Sequence, residues 1–350
     1  MRKIVNINLF IENKTFMYCR QKFLMLKITK SLILLLYISI AFFFLITTSC
    51  IDEINDQILD KDYSIVINCL FNPDSSFTAY LSKSYNPYGK GDYYETDDIL
   101  NAQVSIYENN QYIGELFHTQ NGIYKNPKLF AKINKYYRIE VIIDNKKAWA
   151  ESYIPEKASI NSITIDTTYY NYWGGEISCN TQYKLNFNDP DGPNYYLLTL
   201  YTNNIDTTFE VNDTNKIAYI ETSSFPVYFS SNDPVIGSFD SHNKDVGEIF
   251  FAFSDKFFNG SSYNLDFIID NSNTLHVHRV SELDIYVQLN MLSFDFAKYI
   301  FSYMEHIKAK DNHFAEPIPI YNNIKGGLGI FAGYNYSLDT IKIYKCKKDN

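Results

Sequence analysis

Tyr136-Tyr-Arg-Ile-Glu-Val-Ile-Ile143, then Asp144-Asn145, then the run from Lys147 to Tyr153, reads as two strands and the turn between them. β-Branched and aromatic residues alternate with polar ones in the first arm, the pattern of a sheet with one buried face. Asp and Asn tolerate the left-handed backbone that a two-residue hairpin turn demands. Pro155 ends the second arm, because proline has no N–H to give to a ladder. The chain is therefore expected to be built from antiparallel hairpins.

Upstream the pattern repeats. Ser64-Ile-Val-Ile-Asn-Cys-Leu70 is a β-branched run, Asn72-Pro73-Asp74 supplies a turn, and Phe77-Thr-Ala-Tyr-Leu-Ser82 alternates. Tyr85 to Ile99 is a Tyr-rich loop bearing Gly and Asp. Ala102–Tyr107 and Gln111–His118 then flank Asn109-Asn110, a second hairpin signal. Short strands at this spacing, with no helical period among them, predict an immunoglobulin-like β-sandwich over residues 63–157.

Residues 158–350 are expected to form a second, antiparallel β domain. Its strand candidates are Ile160–Thr168, Thr181–Asn188, Tyr195–Thr202, Ile217–Glu221, Glu248–Ser254, Tyr263–Ile269 and Leu275–Leu289. One segment has a different period. From Ser293, the residues Phe294, Ala297, Ile300, Phe301, Met304 and Ile307 recur at helical spacing, opposite Asp295, Lys298, Glu305 and Lys308. This predicts an amphipathic helix over 293–308, with Ser293 as N-cap and Asp295 in the favourable first turn. Phe294, Phe301 and Met304 are expected to pack on the sheet. Glu316-Pro-Ile-Pro319 then forces extended chain, and a final strand covers Asp339 to Lys345. Gly326-Gly-Leu-Gly329 between them predicts a strand bend or a close backbone approach.

The amino-terminal segment reads differently. Leu32 to Ile46 is an apolar run flanked by Lys27 and Lys30 and followed by Thr47-Thr-Ser-Cys50. A basic flank, a short apolar core and small residues before a cysteine are the parts of a secretory signal. The run is shorter than the roughly 20 residues of a comfortable span. Residues 1–50 are read as a signal segment, with Met25 as a conventional start and Cys50 as the lipid-bearing residue. Residues 51–62 are expected to form a polar tether, in which the acidic pair Asp52 and Glu53 resembles the export signal of surface lipoproteins.

Charge sharpens once that segment is removed. The chain carries −9, and residues 1–50 hold seven basic residues and one acidic residue, so the remainder carries −15. Such a surface repels phosphate backbones, and nucleic acid is not an expected partner. Beyond Cys50 lie Cys69, Cys179 and Cys346, far apart and odd in number. They show neither zinc spacing nor a disulfide framework. At most one bridge is expected and none is favoured, with Cys69 buried as a small hydrophobe.

Several motifs carry a family resemblance. Glu316 to Tyr334, Asn188-Asp-Pro-Asp-Gly-Pro-Asn-Tyr-Tyr196, Asp255-Lys-Phe-Phe-Asn-Gly260, and Ala102–Tyr107 with Gly122-Ile-Tyr124 follow one another along the chain. Taken from residue 102 to residue 334, they resemble a Bacteroidota lipoprotein family known as domain of unknown function 4249. The resemblance implies an outer-membrane lipoprotein, often encoded beside a TonB-dependent receptor. It implies no known reaction.

The search for chemistry agrees with that silence. There is no P-loop, no GxSxG and no HExxH. Asp189-Pro-Asp-Gly192 opens like a calcium loop, yet Pro193 and Tyr195 stand where further oxygen ligands belong, so a turn is expected. His276 and His278 would share one face of a strand with Glu282 and Asp284; a solvated pair is expected rather than a metal site. No catalytic residue, metal or cofactor is assigned. Tyr88, Tyr93, Tyr94, Tyr172 and Trp173 lie in loop-like stretches, and each pairs an apolar face with a polar group. They either offer a ligand or partner surface or cover sheet edges. The expected function is a surface or periplasm-facing lipoprotein, a non-enzymatic accessory to a TonB-dependent transporter in nutrient capture. The alternative is a lipid-anchored hydrolase acting on peptide or glycan.

Overall fold

The structure, a computed structural model, describes residues 32–33, 35–40, 63–84, 97–171, 177–212, 215–236, 249–278, 280–310 and 315–344. Residues 32–33 and 35–40 are helical. From Asp62 onward the chain forms one compact unit, and it is mainly β.

The first seven strands are β1 (Ile65–Phe71), β2 (Ser76–Lys83), β3 (Gln103–Glu108), β4 (Gln111–Gln120), β5 (Ile123–Phe130), β6 (Tyr136–Ile143) and β7 (Lys146–Tyr153). β1-β2-β5 form one layer and β4-β3-β6-β7 the other, the grouping of an immunoglobulin-like sandwich. β4 joins the layers, pairing with β3 up to Leu116 and with β5 from Phe117. The opening hairpin folds as read: Tyr136 pairs with Tyr153 and Ile143 with Lys146, around Asp144 and Asn145 at φ 47° and 63°. Tyr137 supplies a tyrosine corner. Its hydroxyl accepts the Lys132 N–H at 2.8 Å and donates to Glu108 Oε2 at 2.8 Å. Phe71, Phe77, Tyr137 and Phe331 form the aromatic centre of this core. Each such buried ring stabilises by about 1.5–3 kcal/mol.

β5 is a strand the sequence reading did not predict. Pro127 argues against one, but it falls where the β2–β5 register shifts, between the Thr78–Lys125 and Ser76–Phe130 pairs. An irregular stretch makes no ladder demand on the missing N–H.

The remaining strands are β8 (Ser159–Asn171), β9 (Ile177–Asn188), β10 (Tyr195–Asn212), β11 (Asn215–Pro226), β12 (Phe250–Ser254), β13 (Ser262–Asp270), β14 (Glu282–Leu292) and β15 (Gly327–Tyr344). Two helices accompany them, α1 (Asn271–His278) and α2 (Phe294–Lys310). β8, β9 and β13 form a three-stranded sheet. Tyr183, Leu185, Phe187, Leu265 and Phe267 of that sheet meet Tyr196, Leu198, Val287 and Leu289 of the β10–β14 layer in a second core. The segment expected as one strand from Leu275 to Leu289 divides into α1 and β14. Asp270 accepts the Asn273 N–H at 3.0 Å as an N-cap, and Leu275 anchors the short helix in the core.

β15 belongs to both sandwiches. Its first half runs parallel to β1, from Ile65–Gly327 to Phe71–Gly333, and its second half pairs antiparallel with β14 from Tyr334 to Tyr344. The glycine run explains how one strand serves both. A Cβ at Gly329 (φ 110°) would stand 2.2 Å from the Ile67 carbonyl oxygen, and one at Gly326 (φ 76°) 2.4 Å from that of Lys147. Close backbone approach, as expected, is what the glycines permit. Two cores lie on either side of residue 157, yet the first takes Ile324 and Phe331 from the end of the chain. The expected division at 157/158 is thus crossed by a continuous sheet.

Candidate functional site

Cys50, Asp52, Glu53, Tyr88, Tyr93, Tyr94, Tyr172 and Trp173, singled out from the sequence, all lie outside the described residues. Within them, chemistry-bearing side chains converge most densely where two sequence motifs meet, the 189–196 and 255–260 segments.

Here β9 hands the chain to β10, and β12 to β13. Asp189 is buried and its carboxylate accepts three hydrogen bonds. Oδ1 accepts the Tyr196 hydroxyl and Asn194 Nδ2 at 3.2 Å, and Oδ2 accepts the Gly260 N–H at 2.7 Å. Asn194 also donates to the carbonyls of Pro190 (2.6 Å) and Gly192 (2.9 Å). Its own N–H goes to Asp255 Oδ2 at 2.8 Å, and Asn259 Oδ1 accepts the Gly192 N–H at 3.0 Å. The expected turn at 189–192 is therefore correct, and it is clamped by a second turn 60 and more residues away.

The electrostatics follow from burial. Burial pushes the Asp255 carboxyl above the usual carboxylate range, the Asn194 N–H pulls it back, and the charge of Asp189 raises it further. Burial raises the Tyr196 phenol strongly, and its bond to Asp189 adds to the rise, so the hydroxyl stays a donor. The cluster works as a lock between two turns.

Alternation along β10 sends the next side chain the other way. Tyr196 points into the second core, whereas Tyr195 faces α2, with ring centroids 6.0 Å from Phe294 and 6.4 Å from Phe301. Ser293 caps α2 as expected, its Oγ accepting the Phe296 N–H at 3.4 Å. Asp295 receives the Tyr321 hydroxyl at 2.8 Å and the Ser152 hydroxyl at 3.2 Å. Burial and this carboxylate push the Tyr321 phenol up to about 12. Lys298 Nζ lies 4.4 Å from the Phe294 ring centroid and 5.3 Å from that of Tyr321. Tyr195, Phe294, Lys298, Phe301 and Tyr321 thus make an aromatic shelf with one cation on the outer side of the sheet.

The shelf corrects one expectation. Along its first turn α2 buries Phe296 and Ala297, against Leu292, Ile330 and Ala332, and near its end Ala309. Phe294 is 45% exposed, and Phe301 and Met304 are half-buried. The helical spacing was read correctly, but its buried stripe lies about one position away from the predicted one. Phe296 was the signal, an apolar residue left out of the stripe.

The histidines also sit differently. His276 and His278 lie on α1, where a two-residue step turns side chains to nearly opposite sides. No cluster of three or more metal-ligating side chains occurs among the described residues. Cys69 is a fully buried free thiol, pushed up to about 12 by burial, as its strand position implies. Cys179 is disulfide-bonded, contrary to the reading that favoured no bridge. Its place at the buried start of β9 is set by pairing that cysteine spacing does not reveal. No helix among the described residues is long and apolar enough to cross a membrane.

A family model described as domain of unknown function (DUF4249) matches residues 51–339. No curated protein matches the chain. Among solved structures, a calcium-binding mutant of Bacteroides uniformis beta-glucuronidase 2 aligns at 9% identity and TM-score 0.16, over 60% of this chain and 30% of its own. The BSP domain of a biofilm-associated protein aligns at 8% and TM-score 0.17, over 79% of this chain and 59% of its own. Likeness at that level carries no argument about activity.

Proposed function

This chain belongs to the DUF4249 family, and we propose that it is a lipid-anchored outer-membrane protein that assists a TonB-dependent transporter in nutrient capture. The observation that carries the reading is the run from Leu32 to Ile46 closed by Thr47-Thr-Ser-Cys50. Cleavage before Cys50 leaves a thiol to bear acyl chains, and stable anchoring follows from more than one chain. Asp52 and Glu53 then stand directly beyond the lipid, in a polar stretch with no core to serve, and act as the export signal to the cell surface. The tether enters the fold at β1, whose ladder begins at the Ile65–Gly327 pair.

A non-enzymatic role is supported by the chemistry of the most converged polar cluster. Asp189 and Asp255, the buried carboxylates that come nearest to a catalytic pair, spend their oxygens on turn N–H groups and Tyr196. The aromatic shelf around Phe294, together with Tyr88, Tyr93, Tyr94, Tyr172 and Trp173, provides surface for a partner or ligand.

Labelling with a fatty-acid probe, followed by capture from solubilised outer membranes, tests the proposal. Wild-type chain should carry label and bring down a TonB-dependent receptor, and Cys50→Ala should lose the label. Equal labelling of the two, or capture without any receptor, contradicts it. Asp52→Ala with Glu53→Ala should keep the label and lose protease accessibility on whole cells.

A further inference from the structure

β8 is the edge of the three-stranded sheet, and no described strand pairs with its outer side. Among the described residues it pairs with β9 alone. Its base is held from β15, where Ser337 Oγ donates to the Ala158 carbonyl at 2.5 Å. An open edge is a template for another strand, and proteins blunt such edges with lysine, proline or bulges. Asn161-Ser-Ile-Thr-Ile-Asp-Thr-Thr-Tyr169 has no lysine, proline or glycine. Its one register shift lies at the base, between Ile160 and Ser162.

Two large side chains of this edge are exposed on the side that faces the core. Ile165 pairs with Tyr183, and Tyr169 with Cys179, and both partners are buried. On the same core-facing side, Ile165 is 55% and Tyr169 50% exposed. The second layer is open as well. β1 covers β15 only as far as Gly333, and from Tyr334 to Tyr344 β14 is its one ladder partner among the described residues.

We propose that β8 is a self-association edge, on which two copies of this chain pair antiparallel about Ile165 into a continuous six-stranded sheet. Residue 165 is the midpoint of the stretch from Asn161 to Tyr169, so this register uses all of it. Ile165 then faces Ile165 of the second copy, Ile163 faces Thr167, Ser162 faces Thr168, and Thr164 faces Asp166. Charge excludes one neighbouring arrangement. Asp166 is the only charged residue of the stretch, and it meets a hydroxyl whose ladder neighbour on β9 is Lys184. Shifting the axis by one residue, to 166, would set two carboxylates face to face, which is destabilising. The pairing also covers the overhanging Ile165, which a single copy leaves in water.

Cysteine cross-linking of the full-length chain in its own membrane tests the register. Directly opposed residues stand about 4.5–5.5 Å apart between Cα atoms, within the roughly 4.4–6.8 Å a disulfide spans. With copper–phenanthroline as oxidant, Ile165→Cys should move the chain to a band of twice its mass on non-reducing gels. Ser162→Cys and Thr168→Cys should each stay at single mass alone and cross-link when co-expressed with different tags. The parent chain, run alongside, should give no such band. Absence of the Ile165→Cys dimer overturns the proposal. So does an adduct of any other mass, which would place a foreign strand on the edge, or equal cross-linking of Ser162→Cys alone.

Discussion

Six non-glycine residues have positive φ among the described residues, and all of them, Asn109, Asn110, Asn121, Asn134, Asp144 and Asn145, fall in the first sandwich. Two described connections of the second sandwich carry positive φ at glycines, Gly192 and Gly260, and are tied to each other. These connections, at 189–194 and 255–261, are held by a carboxylate from one reaching the N–H of the other. Strands differ accordingly: those of the first sandwich run six to ten residues, whereas β10 and β15 run 18. Among the described connections, those of the first half carry local turn chemistry, whereas 189–194 and 255–261 depend on contacts between segments far apart in sequence. Only the local kind can be read from a short window of residues.

The largest effect is expected where the two halves join. Gly329→Val imposes a branched side chain at φ 110°, with its Cβ against the Ile67 carbonyl. Strain of this kind costs about 1–3 kcal/mol before the collision is counted. We expect a loss of about 4 kcal/mol or more, measured by urea unfolding; a loss near 1 kcal/mol would show that β1 and β15 separate easily.

Next comes the lock of the second half. Asp189→Ala strands the Gly260 N–H and the Tyr196 hydroxyl, and each buried unsatisfied group costs about 1–3 kcal/mol. A total near 3 kcal/mol is expected, and Asp189→Asn should recover part of it. On α2, Phe296→Ala should cost about 3–5 kcal/mol, well above Phe301→Ala at about 1–2 kcal/mol for its half-buried ring. Equal losses for the two would restore the stripe first inferred from the sequence.

The turns of the first half should respond more weakly. Asn145→Ala places alanine at φ 63°, where an L-residue other than Gly, Asn or Asp pays about 1–2 kcal/mol. Thermal unfolding that is unmoved by this change would mean that strand pairing, not turn chemistry, sets the hairpin.

Legibility divides along the same line. The 136–153 hairpin, its turn and its register were visible because alternation and the Asp-Asn pair agree. β5 was hidden by Pro127, whose irregular register is a tertiary feature. α1 was hidden because Leu275, His276, Val277 and His278 alternate like a strand, and only the Asp270 cap argues otherwise. The Asp189–Gly260 clamp was half visible: both motifs stood out, but nothing local shows that they touch. Cys179 was hidden for the same reason, since a bridge depends on where β9 ends up. The glycine run was legible as close approach, although not which backbone it approaches.

The smallest expected effect is a pH dependence. Burial raises the Asp255 carboxyl above its unfolded value, with Asp189 adding to the rise. A carboxyl raised in the folded state binds its proton more tightly there, so its contribution is fully present below the unfolded value and is lost as pH rises through the folded one. Above the unfolded carboxylate value of about pH 4, wild type should therefore lose stability relative to Asp255→Asn as pH increases. A constant difference between the two across that range would remove Asp255 from the account.

The claim on which the rest depends is that β15 makes one cooperative body of two sandwiches. Hydrogen exchange of the intact protein through a urea titration tests it directly, following β1 and β6 in one core and β10 and β14 in the other. The account predicts that all four strands lose protection at the same midpoint, and that Gly329→Val lowers that midpoint for both cores together. Two separated midpoints in the wild-type protein, with only the first core shifted by Gly329→Val, would contradict it.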